Sequence, residues 1–168
     1  TGSLASNSPV TDGRAVYAFF GSRGLYCLDA ADGSVRWKRD LGKLTTHHAH
    51  GEGASPALHD GTLVVPWDQE SGSRVIALDA ATGSPRADRV AHDGQIWSMA
   101  RVPGQPWVAS AGLDGYVRVW RTSDLQLIAE APAQRPPVRG IAVAPNGKSV
   151  VSSSDDGELR VWDIGAAS

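Results

Sequence analysis

The sequence lacks the features that mark several classes of protein. It has one cysteine, Cys27, so an internal disulfide is excluded and the redox compartment stays undecided. It has no run of about 18 apolar residues, which argues against a membrane-spanning helix. Its net charge is −2, with Lys and Arg scattered along the chain. Neither a nucleic acid nor a membrane is therefore predicted as a partner.

The chain also lacks helical periodicity. No segment sustains an apolar period of about 3.6 residues, whereas strand-like alternation is visible in 116–120 and 158–162. Nineteen Gly and ten Pro divide the sequence into short apolar runs, and six Trp contribute to a core. Cys27 lies in such a run and is predicted to be a small buried hydrophobic residue. The sequence therefore predicts an all-β globular protein.

Two copies of one repeat occupy the first half of the chain. The copy from Ser8 reads SPVTDGRAVYAFFGSRGLYCLDAADGSVRW, and the copy from Ser55 reads SPALHDGTLVVPWDQESGSRVIALDAATGSPRA. Each runs from Ser-Pro through an Asp-Gly turn to Leu-Asp-Ala and a second Gly turn. Asp29 and Asp79 occupy the same place in the two copies. A fixed internal period of this size is typical of repeat folds such as propellers.

This first half resembles the blades of the quinoprotein-type (PQQ-like) propeller family. The second copy departs from the pattern, because Ala87 stands where the first copy has the docking tryptophan Trp37. Quinone-dependent members of the family hold their cofactor in a complete ring, commonly with calcium and a pair of adjacent cysteines. One cysteine and two such blades do not supply these groups, so no cofactor and no dehydrogenase activity are predicted.

A different repeat fills the second half of the chain. One copy, PWVASAGLDGYVRVW, begins at Pro106, and the other, SVVSSSDDGELRVWD, begins at Ser149. They resemble WD repeats, whose blades contain a hydrogen-bonded tetrad of His, Ser or Thr, Asp and Trp. The first copy matches the tetrad at His92, Ser110, Asp114 and Trp120. The second matches it at Ser152, Asp156 and Trp162, with Gln134 at the histidine position.

The tetrad residues are predicted to be structural. A buried carboxylate is costly unless hydrogen bonds compensate it, and the other tetrad side chains provide such bonds. A Ser-His-Asp hydrolase built from Ser110, His92 and Asp114 is disfavoured, because the blade motif already explains their spacing. No Gly-x-Ser-x-Gly sequence is present.

These resemblances predict one all-β domain over residues 1–168, a β-propeller with four four-stranded antiparallel blades per chain. The expected PQQ-like blades are 6–50 and 51–90, and the expected WD blades are 91–133 and 134–168. The change of repeat near residue 90 predicts an engineered or recombined chimera of two propeller families. We expect a non-catalytic scaffold without a dedicated ligand. The alternative is a protein–protein interaction module that forms part of a larger bacterial propeller.

Four blades raise the question of how the ring closes. Blades of these families suit rings of seven or eight, with about 45–50° between neighbours, whereas a ring of four needs about 90°. We therefore predict a homodimer that forms one eight-bladed ring. A closed four-bladed monomer and a piece of a larger propeller remain as alternatives. The fourth blade stops after its third strand, and Leu4–Asn7 is a candidate for its outer strand.

Three groups of residues are candidates for binding sites. His47, His48 and His50 are weak metal-ligand candidates, but their irregular spacing in a Gly-containing loop predicts a solvated segment and no specific metal site. The stretch 68–72 is predicted to be a polar turn. Trp97 and Arg139, which occupy matching positions in the two WD repeats, are the candidates for contacting a protein partner.

Overall fold

The computed structural model describes residues 7–43, 54–69, 72–132 and 137–164, which form four antiparallel β-sheets in chain order. Blade 1 contains β1 (Val10–Thr11), β2 (Ala15–Phe19), β3 (Leu25–Asp29) and β4 (Val35–Arg39). Blade 2 contains β5 (Ala57–His59), β6 (Thr62–Trp67), β7 (Ser73–Asp79) and β8 (Pro85–His92). Blade 3 contains β9 (Ile96–Val102), β10 (Trp107–Gly112), β11 (Tyr116–Arg121) and β12 (Leu127–Pro132). Blade 4 contains β13 (Val138–Val143), β14 (Ser149–Ser154) and β15 (Leu159–Asp163).

Helical structure in these described ranges amounts to one 3₁₀ turn, Gly21–Arg23. No helix in the described part of the chain is long and apolar enough to cross a membrane. The all-β prediction is thus confirmed. Three sheets have four strands, and blade 4 has three strands within its described residues. Of the candidate outer strand Leu4–Asn7, Leu4 to Ser6 lie outside the described residues.

The strand pattern follows from the alternation of apolar and polar residues and from tight turns that require glycine. Gly33 and Gly83 have φ values of +74° and +70°, which favour glycine at the third-to-fourth strand turns of blades 1 and 2. An acid closes each turn. Arg36 donates to Asp29 at 2.7 Å, and Arg86 donates to Asp79 at 2.6 Å. The Leu-Asp-Ala repeat therefore defines a turn that is held by an arginine from the outer strand.

Three apolar layers join the sheets in sequence. The first layer lies between blades 1 and 2, and includes Tyr17, Cys27, Leu63 and Leu78. The second joins blades 2 and 3, and the third joins blades 3 and 4. The sheets of blades 2 and 3 are therefore buried on both faces, which is how propeller blades pack. Cys27 is 2% exposed, and burial raises the pKa of its thiol.

Candidate functional site

Blade 3 contains a chain of four hydrogen-bonded polar side chains. The indole Nε1 of Trp120 donates to Ser110 Oγ at 2.9 Å, and this Oγ lies 2.8 Å from Nε2 of His92. The other imidazole nitrogen, Nδ1, lies 2.8 Å from Oδ1 of Asp114. His92 ends β8, whereas Ser110 and Trp120 lie in β10 and β11. The chain of bonds therefore ties the outer strand of blade 2 to the central hairpin of blade 3.

One arrangement of protons satisfies these contacts. Ser110 accepts the indole N–H and donates its own proton to Nε2 of His92, whose Nδ1–H then donates to Asp114. His92 is neutral in this arrangement. Burial is the largest influence on its pKa and lowers it, despite the hydrogen bond to Asp114. Nη1 of Arg118, 2.9 Å from Nδ1, is a close neighbour of the ring without a hydrogen bond to it, because both nitrogens carry protons.

Asp114 is the anion of this network. Burial acts to raise its pKa, but hydrogen bonds from His92 and Arg118 outweigh burial and hold the pKa well below its usual range. The Arg118 guanidinium lies 2.7 Å from Asp114 and 2.6 Å from Glu130. The Asp114 side chain is only 11% exposed. Asp114 is therefore an ionised structural acid with several partners.

The order Ser110, His92, Asp114 also resembles the relay of a serine hydrolase. Ser110 is 0% exposed and His92 is 1% exposed. A nucleophile must contact its substrate, and here the Oγ is enclosed between an indole and an imidazole. The geometry therefore favours a structural role, in which the network fixes blade 2 to blade 3, over a catalytic role.

Blade 4 shares part of this pattern. Trp162 Nε1 donates to Ser152 Oγ at 2.9 Å, as the corresponding groups do in blade 3. Asp156 accepts the backbone N–H of Glu158 at 2.9 Å inside the β14–β15 turn. Gln134, at the position of the histidine, lies outside the described residues.

A second group of side chains lies on the surface across blades 3 and 4. The guanidinium carbon of Arg139 is 3.8 Å from the centroid of the Trp97 ring. Two guanidinium nitrogens donate to the two carboxylate oxygens of Asp155, each at 2.5 Å. Trp97 Nε1 donates to Gln95 at 3.1 Å. We call Trp97, Arg139 and Asp155 the stacked cluster.

The stacked cluster combines two residues that the sequence placed at matching positions and one that it missed. The Arg139 and Asp155 side chains are 54% and 46% exposed, whereas Trp97 is half-buried. The signal for Asp155 is the doublet with Asp156, since the other WD repeat has Leu113 before its tetrad acid. The cluster is a pre-formed planar surface of arginine on tryptophan, which suits a contact with another protein.

Blades 1 and 2 are joined by the docking tryptophan. Trp37 Nε1 donates to the carbonyl oxygen of Ala80 at 3.0 Å, and Arg39 donates to that of Gly83 at 2.9 Å. A Cβ at Gly83 would lie 2.9 Å from the Trp37 ring, so the ring packs directly on this turn. The outer strand of one PQQ-like blade is thereby fixed to the turn of the next.

Blades 2 and 3 are joined differently. Ala87 takes the place of a docking tryptophan, and β8 continues across the expected boundary at residue 90 to His92. Asp68, at the end of β6, accepts the backbone N–H of Ile96 at 2.9 Å and the hydroxyl of Ser73 at 3.3 Å. Asp68 is 4% exposed, and burial raises its pKa to about 6. Asp68 begins the predicted polar turn between β6 and β7, and blade 3 buries it there.

His47, His48 and His50 lie outside the described residues, and no group of three or more potential metal ligands occurs within the described ranges.

Comparison with known proteins identifies the family. A PQQ-like family model (PQQ_2), described as outer membrane protein assembly factor BamB, matches residues 1–160. The chain belongs to this PQQ-like family. The match continues through the WD half.

Several curated relatives are WD repeat-containing proteins. An uncharacterized WD repeat-containing protein of Schizosaccharomyces pombe is 33% identical over 72 residues, 43% of this chain and 18% of that protein. The WD repeat-containing protein VIP3 of Arabidopsis thaliana is 27% identical over 139 residues, 74% of this chain and 43% of that protein. This member of the PQQ-like family therefore combines PQQ-like and WD repeats, and it spans less than half the length of these relatives.

Solved structures support the propeller fold. The computationally designed Ika4 protein matches with a TM-score of 0.74 at 18% identity, over 98% of this chain and 96% of that one. A chain of the mitotic checkpoint complex matches with a TM-score of 0.69 at 20% identity, over 90% of this chain and 46% of that one. The blades of this PQQ-like family member thus follow propeller geometry.

Proposed function

We propose that the chain is a non-catalytic propeller scaffold in which two PQQ-like blades and two WD blades were joined by recombination or design, without a dedicated ligand. The change of inter-blade linkage supports this. The Trp37 contact joins blades 1 and 2, whereas Asp68 and the His92 network join blades 2 and 3. The tryptophan contact belongs to the PQQ-like repeat, the His92 network belongs to the WD repeat, and Asp68 of blade 2 accepts the Ile96 N–H of blade 3.

The Ser-His-Asp arrangement of blade 3 also serves the scaffold. Ser110 and His92 fix strands of adjacent blades, and Asp114 holds the hairpin turn through Tyr116. Their burial leaves the hydroxyl without access to a substrate. The polar groups therefore contribute rigidity, and the loop surface remains free for variation.

Labelling with a fluorophosphonate, which reacts with nucleophilic serines, tests the non-catalytic role. We expect the folded wild-type chain to show no more labelling than the Ser110→Ala variant, because Ser110 is enclosed. Intact-mass spectrometry provides the measurement, and an active serine hydrolase serves as the positive control. Stoichiometric labelling that disappears in Ser110→Ala would contradict the proposal.

A second candidate function is protein binding through the stacked cluster. A relative from Danio rerio that is named p21-activated protein kinase-interacting protein 1-like is 25% identical over 119 residues, 71% of this chain and 32% of that protein. Exposed aromatic and arginine side chains recur as anchors of interfaces. The cluster presents an exposed arginine above a half-buried tryptophan.

Affinity capture from a lysate of the source organism, compared between variants, tests this second function. We expect Arg139→Ala to remove at least one partner that wild type retains, because the substitution removes the exposed guanidinium. Arg101→Ala, at an exposed arginine of β9, is the matched control and should retain that partner. Identical partner sets for all three proteins, measured by quantitative mass spectrometry, would remove the stacked cluster as a binding surface.

A further inference from the structure

One sheet face of blade 4 carries exposed apolar side chains. Leu159 and Val161 alternate on β15 and are 73% and 69% exposed. Val151, beside Val161 in the sheet, is also not fully buried. We call these three residues the blade 4 face. Large apolar side chains this exposed on one sheet face indicate a surface that is normally buried by another protein surface.

The equivalent face of blade 3 is buried against blade 4. Val117 and Val119 take the positions of Leu159 and Val161, and both are at most 4% exposed. They form one apolar layer with Val150 of blade 4. The blade 4 face is thus the repeat of a face that, one blade earlier, is buried by the following blade.

The first blade exposes the opposite side. In blade 2, Ile76 and Leu78 face blade 1 and are 7% and 0% exposed. Their counterparts in blade 1, Tyr26 and Leu28, are only half-buried. We call Tyr26, Leu28 and the neighbouring Val16 the blade 1 face. Tyr26 also contacts the Phe20 ring edge-on at 5.7 Å, so an aromatic pair lies on this side.

We infer that the blade 4 face of one copy binds the blade 1 face of a second copy, and that two copies close head to tail into an eight-bladed ring. Each side of this junction already has a counterpart inside the chain. A WD blade buries the equivalent of the blade 4 face in the third layer, and a PQQ-like blade buries the equivalent of the blade 1 face in the first layer. The inter-copy junction therefore pairs two kinds of face that are each buried within one copy, and it brings the WD face against the PQQ-like face only between copies.

A second copy explains the two open faces better than closure within one chain. The exposures of Leu159 and Val161 show that blade 1 of the same chain does not cover blade 4. Four blades at about 45° turn through half a circle, so a twofold repeat closes the ring.

The test is the molar mass of the 168-residue chain in solution. Size-exclusion chromatography with multi-angle light scattering should give wild type twice the chain mass of 17.6 kDa. Val161→Glu places a charge on the blade 4 face and should yield 17.6 kDa. Tyr26→Glu places one on the blade 1 face and should do the same, because every junction uses both faces. Circular dichroism establishes that each variant is folded.

Val90→Glu is the matched control. Val90 is 68% exposed on the outer strand β8, away from both faces, so this variant should keep the wild-type mass. A monomeric wild type overturns the inference, and so does a species larger than two copies. A wild-type dimer that persists in Val161→Glu overturns it as well, since the copies then meet elsewhere. A dimer lost in Val161→Glu but kept in Tyr26→Glu overturns the head-to-tail arrangement.

Discussion

Replacing Asp114 by alanine is expected to lower the free energy of unfolding by about 3–5 kcal/mol, the usual cost of removing one partner from a buried ion pair. The substitution leaves the Arg118 guanidinium, 15% exposed, with Glu130 as its remaining acid partner. It also removes the acceptor for His92 Nδ1–H and for the backbone N–H of Tyr116. Urea unfolding followed by tryptophan fluorescence measures the loss.

Glu158→Ala provides the comparison for this prediction. Glu158 pairs with Arg160 at 2.7 Å, but the two side chains are 59% and 41% exposed. Exposed ion pairs contribute little to stability, so the urea midpoint of this variant should stay close to that of wild type. Equal midpoints for Asp114→Ala and wild type would mean that the blade 3 network does not stabilise the fold.

Much of the fold was predictable from local sequence, because the signals are local. Asp-Gly and Leu-Asp-Ala turns fix where strands end, and the glycine φ values at Gly33 and Gly83 show why those residue types are needed. The tetrad spacing identified the Ser110, His92 and Asp114 contacts for the same reason, since each blade repeats one hydrogen-bonding pattern.

The rest depended on how one blade lies against the next, and a single repeat does not encode that. Asp68 has the sequence environment of an exposed hairpin, and only the arrival of Ile96 from blade 3 buries it. The sequence places Trp97 and Arg139 at matching positions, but neither repeat indicates that their side chains meet across blades 3 and 4. Inter-blade contacts join residues that are far apart in the sequence, so the pattern of a single repeat does not predict them.

Asp68 gives the junction between blades 2 and 3 an unusual dependence on pH. Burial raises its pKa to about 6 from the ordinary 3.8, although the hydrogen bonds from Ile96 and Ser73 act to lower it. The folded chain therefore binds the proton more tightly than the unfolded chain does. Stability from this group is fully present below about pH 3.8 and is lost as the pH rises through 6. A shift of roughly two units corresponds to about 3 kcal/mol.

Asp68→Asn should therefore be more stable than wild type by about 2–3 kcal/mol at pH 7.5, and equal to it near pH 4. The amide oxygen still accepts the Ile96 N–H, whereas the charge that burial disfavours is gone. Urea unfolding at several values from pH 4 to 7.5 measures the difference, and Asp93→Asn, at an exposed acid, should follow wild type throughout. A variant less stable than wild type at pH 7.5 would mean that the ionised carboxylate holds the two repeat types together.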